Sequence, residues 1–170
     1  LFNRRHFEER LEEEIARHSR YGGTFSLLML DIDSFKTYND IYGHPAGDRL
    51  LARIGTLIKE SLRSADQAFR YGGDEFAVIV PNAPLDEAYK VAERINKSIE
   101  SEMDSKGAAL TCSMGLASWP TDGFMREEIL KVADAALYHS KKLGRNRISL
   151  APEIIDLQES EIGTGQETES

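Results

Sequence analysis

In the stretch RRHFEERLEEEIARHS, Phe7, Leu11, Ile15 and His18 recur at three- and four-residue steps among charged residues, the spacing of one face of an amphipathic helix. Gly22 and Gly23 read as its C-terminal cap, with Arg17, His18 and Arg20 near the negative end of its dipole. The run FSLLMLDID that follows is apolar without alternation, which predicts a strand buried on both faces with Asp31 and Asp33 at its carboxyl end. Beyond a short segment, SFKTYNDIYGHPAGD, the positions Leu50, Leu51, Ile54, Leu57, Ile58 and Leu62 mark a second helix with one apolar face. DQAFRY and EFAVIVP predict a β-hairpin with Gly72 and Gly73 as its two-residue turn and Pro81 at its end. Leu85, Ala88, Val91, Ala92, Ile95 and Ile99 then line a helix that starts near Pro84 and Asp86. ALTCSMGLASW predicts a strand, EEILKVADAALYHSKKLG a helix closed by Gly144, and RNRISL a short last strand. Helices that alternate with strands, together with an antiparallel hairpin, predict a central mixed sheet surrounded by helices, an α/β or α+β domain in three layers.

The letters RYGG occur twice, from Arg20 and from Arg70. The first copy sits between a helix and a strand and reads as a connector. The second lies between two strands, so it forms a hairpin tip, and that tip carries the adjacent acids Asp74 and Glu75.

Composition narrows the picture. With 170 residues and 41% hydrophobic content, the chain can bury one sizeable core. Of its 29 acids, six (Glu153, Asp156, Glu159, Glu161, Glu167, Glu169) fall in residues 151–170 with no base, leaving 23 acids against 21 bases in residues 1–150. Residues 1–150 are therefore expected to be the folded domain, and 151–170 an acidic, disordered tail. A near-neutral domain argues against nonspecific nucleic-acid binding, which needs a basic patch. The lone Cys112 excludes an intrachain disulfide and points to a reducing, cytoplasmic compartment. No signal peptide or membrane span is evident, and a start at Leu1 suggests a fragment of a longer chain. His6, His18, His44 and His139 lack metal-site spacing and read as surface or capping residues.

If the strand ending at Asp31 and the hairpin are neighbours, several carboxylates meet. Such a cluster persists by holding a hard cation such as Mg²⁺; on the letters DE alone, Asp74 and Glu75 could equally be polar turn residues. Lys36, Lys141, Lys142, Arg145 and Arg147 supply cations, although those near the last helix also suit its dipole. Asn39 and Asp48 fit either hydrogen bonding to a base edge or loop and N-cap roles.

The blocks DIDSFKTYNDIYGHPAGD, RYGGDEF and ADAALYHSKKLGRNR, in that order and spacing, closely resemble the GGDEF domain of bacterial diguanylate cyclases over residues 1–150. The resemblance implies a fold related to class III nucleotidyl cyclases and polymerase palm domains. It also implies condensation of two GTP into cyclic di-GMP, with release of two pyrophosphates, across a homodimer in which each domain holds one GTP. It implies that Asp31 and Asp74 bind Mg²⁺ or Mn²⁺ with the Ile32 carbonyl, and that Glu75 assists the 3′-hydroxyl. Ser34 and Phe35 backbone, Lys36, Lys141 and Arg145 would hold the β- and γ-phosphates, Gly72 and Gly73 would admit the α-phosphate, and Asn39 with Asp48 would read guanine. The family pattern gives the metal to Asp31, whereas spacing alone would add Asp33.

Arg63 and Asp66 in RSAD match the family's R-x-x-D product-inhibition motif, which binds cyclic di-GMP; as bare residues they suit a helix-end salt bridge. The family's opening segment, D-x-L-T-G-L-x-N-R-R, survives only as LFNRR, and in the family it joins an upstream sensor. Two alternatives stay open: a cyclic GMP-AMP-forming member, which would carry Ser at position 48, and a noncatalytic receptor for GTP or cyclic di-GMP, whose motif is usually degraded.

Overall fold

The computed structural model describes residues 1–105 and 110–151. The acidic tail lies, from residue 152 on, outside the described residues. In chain order the elements are α1 (Arg4–Tyr21), β1 (Phe25–Ile32), α2 (Phe35–Tyr42), α3 (His44–Glu60), β2 (Gln67–Arg70), β3 (Glu75–Pro81), α4 (Leu85–Ser105), β4 (Cys112–Trp119), α5 (Arg126–Lys142) and β5 (Ile148–Leu150). They build one five-stranded sheet in the order β2-β3-β1-β4-β5, antiparallel except for the parallel pair β4 and β5. The expected mixed sheet between helical layers is present.

β1 is central and buried along its whole length, as its continuous apolar run requires. Its side chains alternate between two cores. Leu28, Leu30 and Ile32 enter one with Leu50, Ile54 and Ile58 of α3 and Val91, Ile95 and Ile99 of α4. Phe25, Leu27 and Met29 enter the other with Phe7 and Leu11 of α1 and Ile129, Ala133 and Leu137 of α5. This alternation sends Asp31 to the α5 side of the sheet and Ile32 into the opposite core.

Several local expectations need correction. The buried stripe of α1 is Phe7, Leu11, Glu14 and His18, while Ile15 is only partly buried. Glu14 enters the interior because Arg10 Nη2 reaches its carboxylate at 2.7 Å, with His18 Nδ1 at 3.3 Å. His18 is thus no surface residue: its Nδ1 also lies 2.9 Å from the Glu14 carbonyl oxygen and its ring packs on Phe25 and Trp119. The polar segment before Leu50 is two helices, α2 and the start of α3, separated by Gly43 at φ +84°. Asn39 and Asp48 therefore stand inside helices and cap neither.

Candidate active site

The hairpin tip is longer than a two-residue turn. β2 ends at Arg70 and β3 begins at Glu75, and the Tyr71 and Gly72 amides both donate to the Glu75 carbonyl, at 2.9 and 3.1 Å. Neither Gly72 nor Gly73 has a positive φ, so the primed-turn reason for glycine does not apply. A Cβ at Gly72 would meet only the movable end of the Glu75 side chain, at 2.5 Å, and one at Gly73 would meet nothing within 4 Å. Arg70, which the sequence reading passed over, holds the tip by donating from Nε to the Gly72 carbonyl at 3.3 Å and from Nη2 to the Gly73 carbonyl at 2.8 Å. The first RYGG makes the connector expected of it, with Gly22 at φ +77° and Gly23 at φ +100°.

Pairing of β1 with β3 sets Asp31 directly opposite Glu75, and the Ile32 amide donates to the Asp74 carbonyl at 3.2 Å. Like charges opposite one another repel. Burial pushes the Asp31 carboxyl up to about 6, the charges of Asp74 and Glu75 push the same way, and hydrogen bonding to Lys141 opposes them. Lys141 Nζ lies 2.9 Å from Asp31 Oδ2.

A cleft of about 170 Å³ brings together Asp31, Ile32, Ser34, Phe35, Lys36, Asp74, Lys141 and Arg145, with Asp33 beside them. Ser34 adopts a left-handed conformation, φ 59°, at the entry to α2. Strain of this kind in a non-glycine residue persists only where the surroundings hold it. The first amides of α2 have no acceptor within their helix, a ready place for anionic oxygen.

The donors fit a hard divalent cation. Among the described residues no three carboxylate, imidazole or thiolate side chains group as ligands, so the candidate set is two carboxylates, Asp31 and Asp74, and the Ile32 carbonyl. All three are oxygen donors, and an ammonium already sits against the buried carboxylate.

Asp48 lies elsewhere, in a groove of about 770 Å³ with Leu51, Gly55, Arg70 and Phe76. Asn39 is near it in the fold: its Oδ1 is buried without a hydrogen-bond partner among the described residues, and it occupies the space that a Cβ at Gly47 would need. A buried acceptor left open beside a groove suits a ligand donor.

Arg63 and Asp66 border a third groove, of about 510 Å³. The helix-end salt bridge is not formed: Asp66 Oδ2 accepts from the Arg63 backbone amide at 2.9 Å, and the Arg63 guanidinium makes no ion pair with any described residue. Asp33 accepts three hydrogen bonds from within the protein, two at Oδ2 and one at Oδ1, which compete with any role as a co-ligand.

Residues 1–147 match the family model described as "Diguanylate cyclase, GGDEF domain", and the chain belongs to this family. It is 47% identical to diguanylate cyclase A of Treponema denticola over 131 residues, which cover 75% of this chain and 35% of that one. It is 40% identical to diguanylate cyclase DgcS of Shewanella oneidensis, covering 89% and 51%. The chain thus spans about a third to a half of the length of these relatives. Among solved structures, the GGDEF domain of DgcB from Caulobacter crescentus in complex with c-di-GMP aligns with TM-score 0.81 at 35% identity, covering 88% of this chain and 91% of that one. No helix among the described residues is long and apolar enough to cross a membrane.

Proposed function

We propose that residues 1–150 form a catalytic unit that condenses two GTP into cyclic di-GMP. Two domains face each other, each 3′-hydroxyl attacks the α-phosphate of the other nucleotide, and two pyrophosphates leave. The observation that carries this reading is the cleft that Asp31 and Asp74 line together with Lys36, Lys141 and Arg145.

Asp31, Asp74 and the Ile32 carbonyl would hold Mg²⁺ or Mn²⁺, which when bound neutralises phosphate charge and acidifies a nearby hydroxyl. Glu75, opposite Asp31, takes the proton of the 3′-hydroxyl. Lys36, Lys141, Arg145 and the backbone at Ser34 and Phe35 bind the β- and γ-phosphates, with Lys141 shared between phosphate and Asp31. Gly72 and Gly73 admit the α-phosphate, and Asn39 and Asp48 read the guanine edge. An upstream sensory domain would set the pairing of domains in the cell, on the cytoplasmic side.

The test is incubation of the chain, fused to a dimerising partner, with GTP and Mg²⁺, and identification of the products. Cyclic di-GMP and pyrophosphate in a 1:2 ratio, with activity per domain higher than in the unfused chain, whose own activity rises with concentration, support the reading; GTP binding without turnover would make the domain a receptor.

Asp48→Ser should relax the preference for GTP over ATP, because a lost acceptor removes discrimination of about 1 to 3 kcal/mol per contact. Competition between the two nucleotides measures it, and an unaltered ratio removes Asp48 from base recognition.

The Arg63 guanidinium, unpaired among the described residues and beside its groove, suits cyclic di-GMP, since arginine pairs with phosphate and with the Hoogsteen edge of guanine. Arg63→Ala should therefore abolish product inhibition and leave the initial rate unchanged. Equal product affinity in calorimetry of the two proteins would exclude this site.

A further inference from the structure

We infer that Asp33 is a positioning residue: its carboxylate latches the loop between α5 and β5 to the end of β1 and so sets the place of Arg145 in the cleft. The inference rests on reading that cleft as the phosphate site.

Asp33 is 4% exposed and draws donors from two distant segments. Its Oδ2 accepts from Thr111 Oγ1 at 2.7 Å and from the Asn146 amide at 3.1 Å, and its Oδ1 accepts from Ser113 Oγ at 2.7 Å. Its own amide donates to the Thr111 carbonyl at 2.9 Å. No described cation pairs with it, so neutral N–H and O–H dipoles alone offset a buried charge, and the donors are held in place in return.

What the latch holds is a strained segment. Arg145 and Asn146 stand at φ 65° and 46°, two successive non-glycine residues in the left-handed region. The Arg145 amide donates to the Ser140 carbonyl at 3.0 Å, which fixes one side of this bend to α5. The Asn146 amide on Asp33 fixes the other side to β1. Without the second anchor the bend has reason to relax, since strained backbone persists only where contacts over-determine it. Arg145 would then leave its place in the cleft that it lines with Lys36, although nothing in its own chemistry had changed.

Removal of the latch should therefore act through Arg145. Binding of α,β-methylene GTP with Mg²⁺ by calorimetry is compared for wild type, Asp33→Ala, Arg145→Ala and the double variant. Asp33→Ala should weaken binding about tenfold to a hundredfold, the scale of a small misplacement of a positioning group. The double variant should bind no more weakly than Arg145→Ala alone, since residues in one chain of action are not additive. Asp33→Asn should bind within about threefold of wild type, because its amide oxygen can still accept from Thr111 and Asn146 while its NH₂ meets the Ser113 hydroxyl.

Additive losses, or an Asp33→Ala protein that binds like wild type, overturn the inference. Arg145→Ala without loss of affinity overturns the phosphate reading of the cleft instead, and with it the basis for any latch. Should Asp33→Ala not fold, Thr111→Val supplies the same cycle with one donor removed. It is expected to weaken binding about threefold, non-additively with Arg145→Ala, and an additive loss overturns the inference there too.

Discussion

Asp31→Asn should lose turnover by about a thousandfold or more and yet be the more stable protein without metal at pH 8. The activity loss would follow from removing one of the two carboxylates proposed to hold the metal, for which an amide oxygen without charge is a poor substitute. The stability gain follows from the shift of the Asp31 carboxyl from 3.8 to about 6. A raised pKa means that the folded protein holds more protons than the unfolded chain between those values. Stability from this group is therefore present below about pH 4, falls as pH rises through the window, and stays low above about pH 6. With no charge to bury and the repulsion of Asp74 and Glu75 relieved, Asn should recover about 1 to 3 kcal/mol at pH 8. Urea unfolding in chelator at pH 4 and pH 8 reads it: the two proteins should converge at the lower value. Turnover within tenfold of wild type would exclude Asp31 as a ligand, and equal stability at pH 8 would exclude the electrostatic account.

Gly115→Ala should destabilise the fold by about 4 kcal/mol or more, near the upper end for a single substitution. Gly115 is at the middle of β4, paired with Met29 on one side and Ser149 on the other. A Cβ there would overlap the Leu137 amide nitrogen and the Ala133 carbonyl oxygen and lie 2.8 Å from the Ala136 carbonyl carbon. All three are backbone atoms of α5, so no rotamer change relieves them. The helix must lift from the sheet, and Lys141 on its last turn would move with it. Loss of most of the stability available to a small domain should appear as insoluble expression or a greatly lowered urea midpoint. A midpoint near that of wild type would mean that α5 sits further from β4.

Much of the architecture was legible in local pattern because each element carries its own periodicity. The unbroken run before Asp31 could serve only as an inner strand, and the stripes of α3 and α4 needed no knowledge of their neighbours. The doubled RYGG was also separable by its flanks. Details of the tip were not: Arg70 and Arg20 share the same following letters, and only a fold that brings Arg70 over the carbonyls of Gly72 and Gly73 distinguishes a clamp from a helix end. Glu14 escaped detection for a related reason. A charge on the buried stripe is improbable from local pattern alone, and it is tolerated because Arg10, one turn earlier, accompanies it inward.

The two acids of DID make the sharpest contrast. Strand alternation puts Asp31 and Asp33 toward the same side, so no local rule tells them apart. Asp31 meets Lys141 and the repulsion of Asp74 and Glu75. Asp33 meets Thr111, Ser113 and Asn146, which are 78, 80 and 113 residues away along the chain. Periodicity is a property of neighbours in sequence and was available from the letters. Whether a carboxylate is left open or saturated depends on donors carried in from remote segments, and those are set only when the helices close onto the sheet.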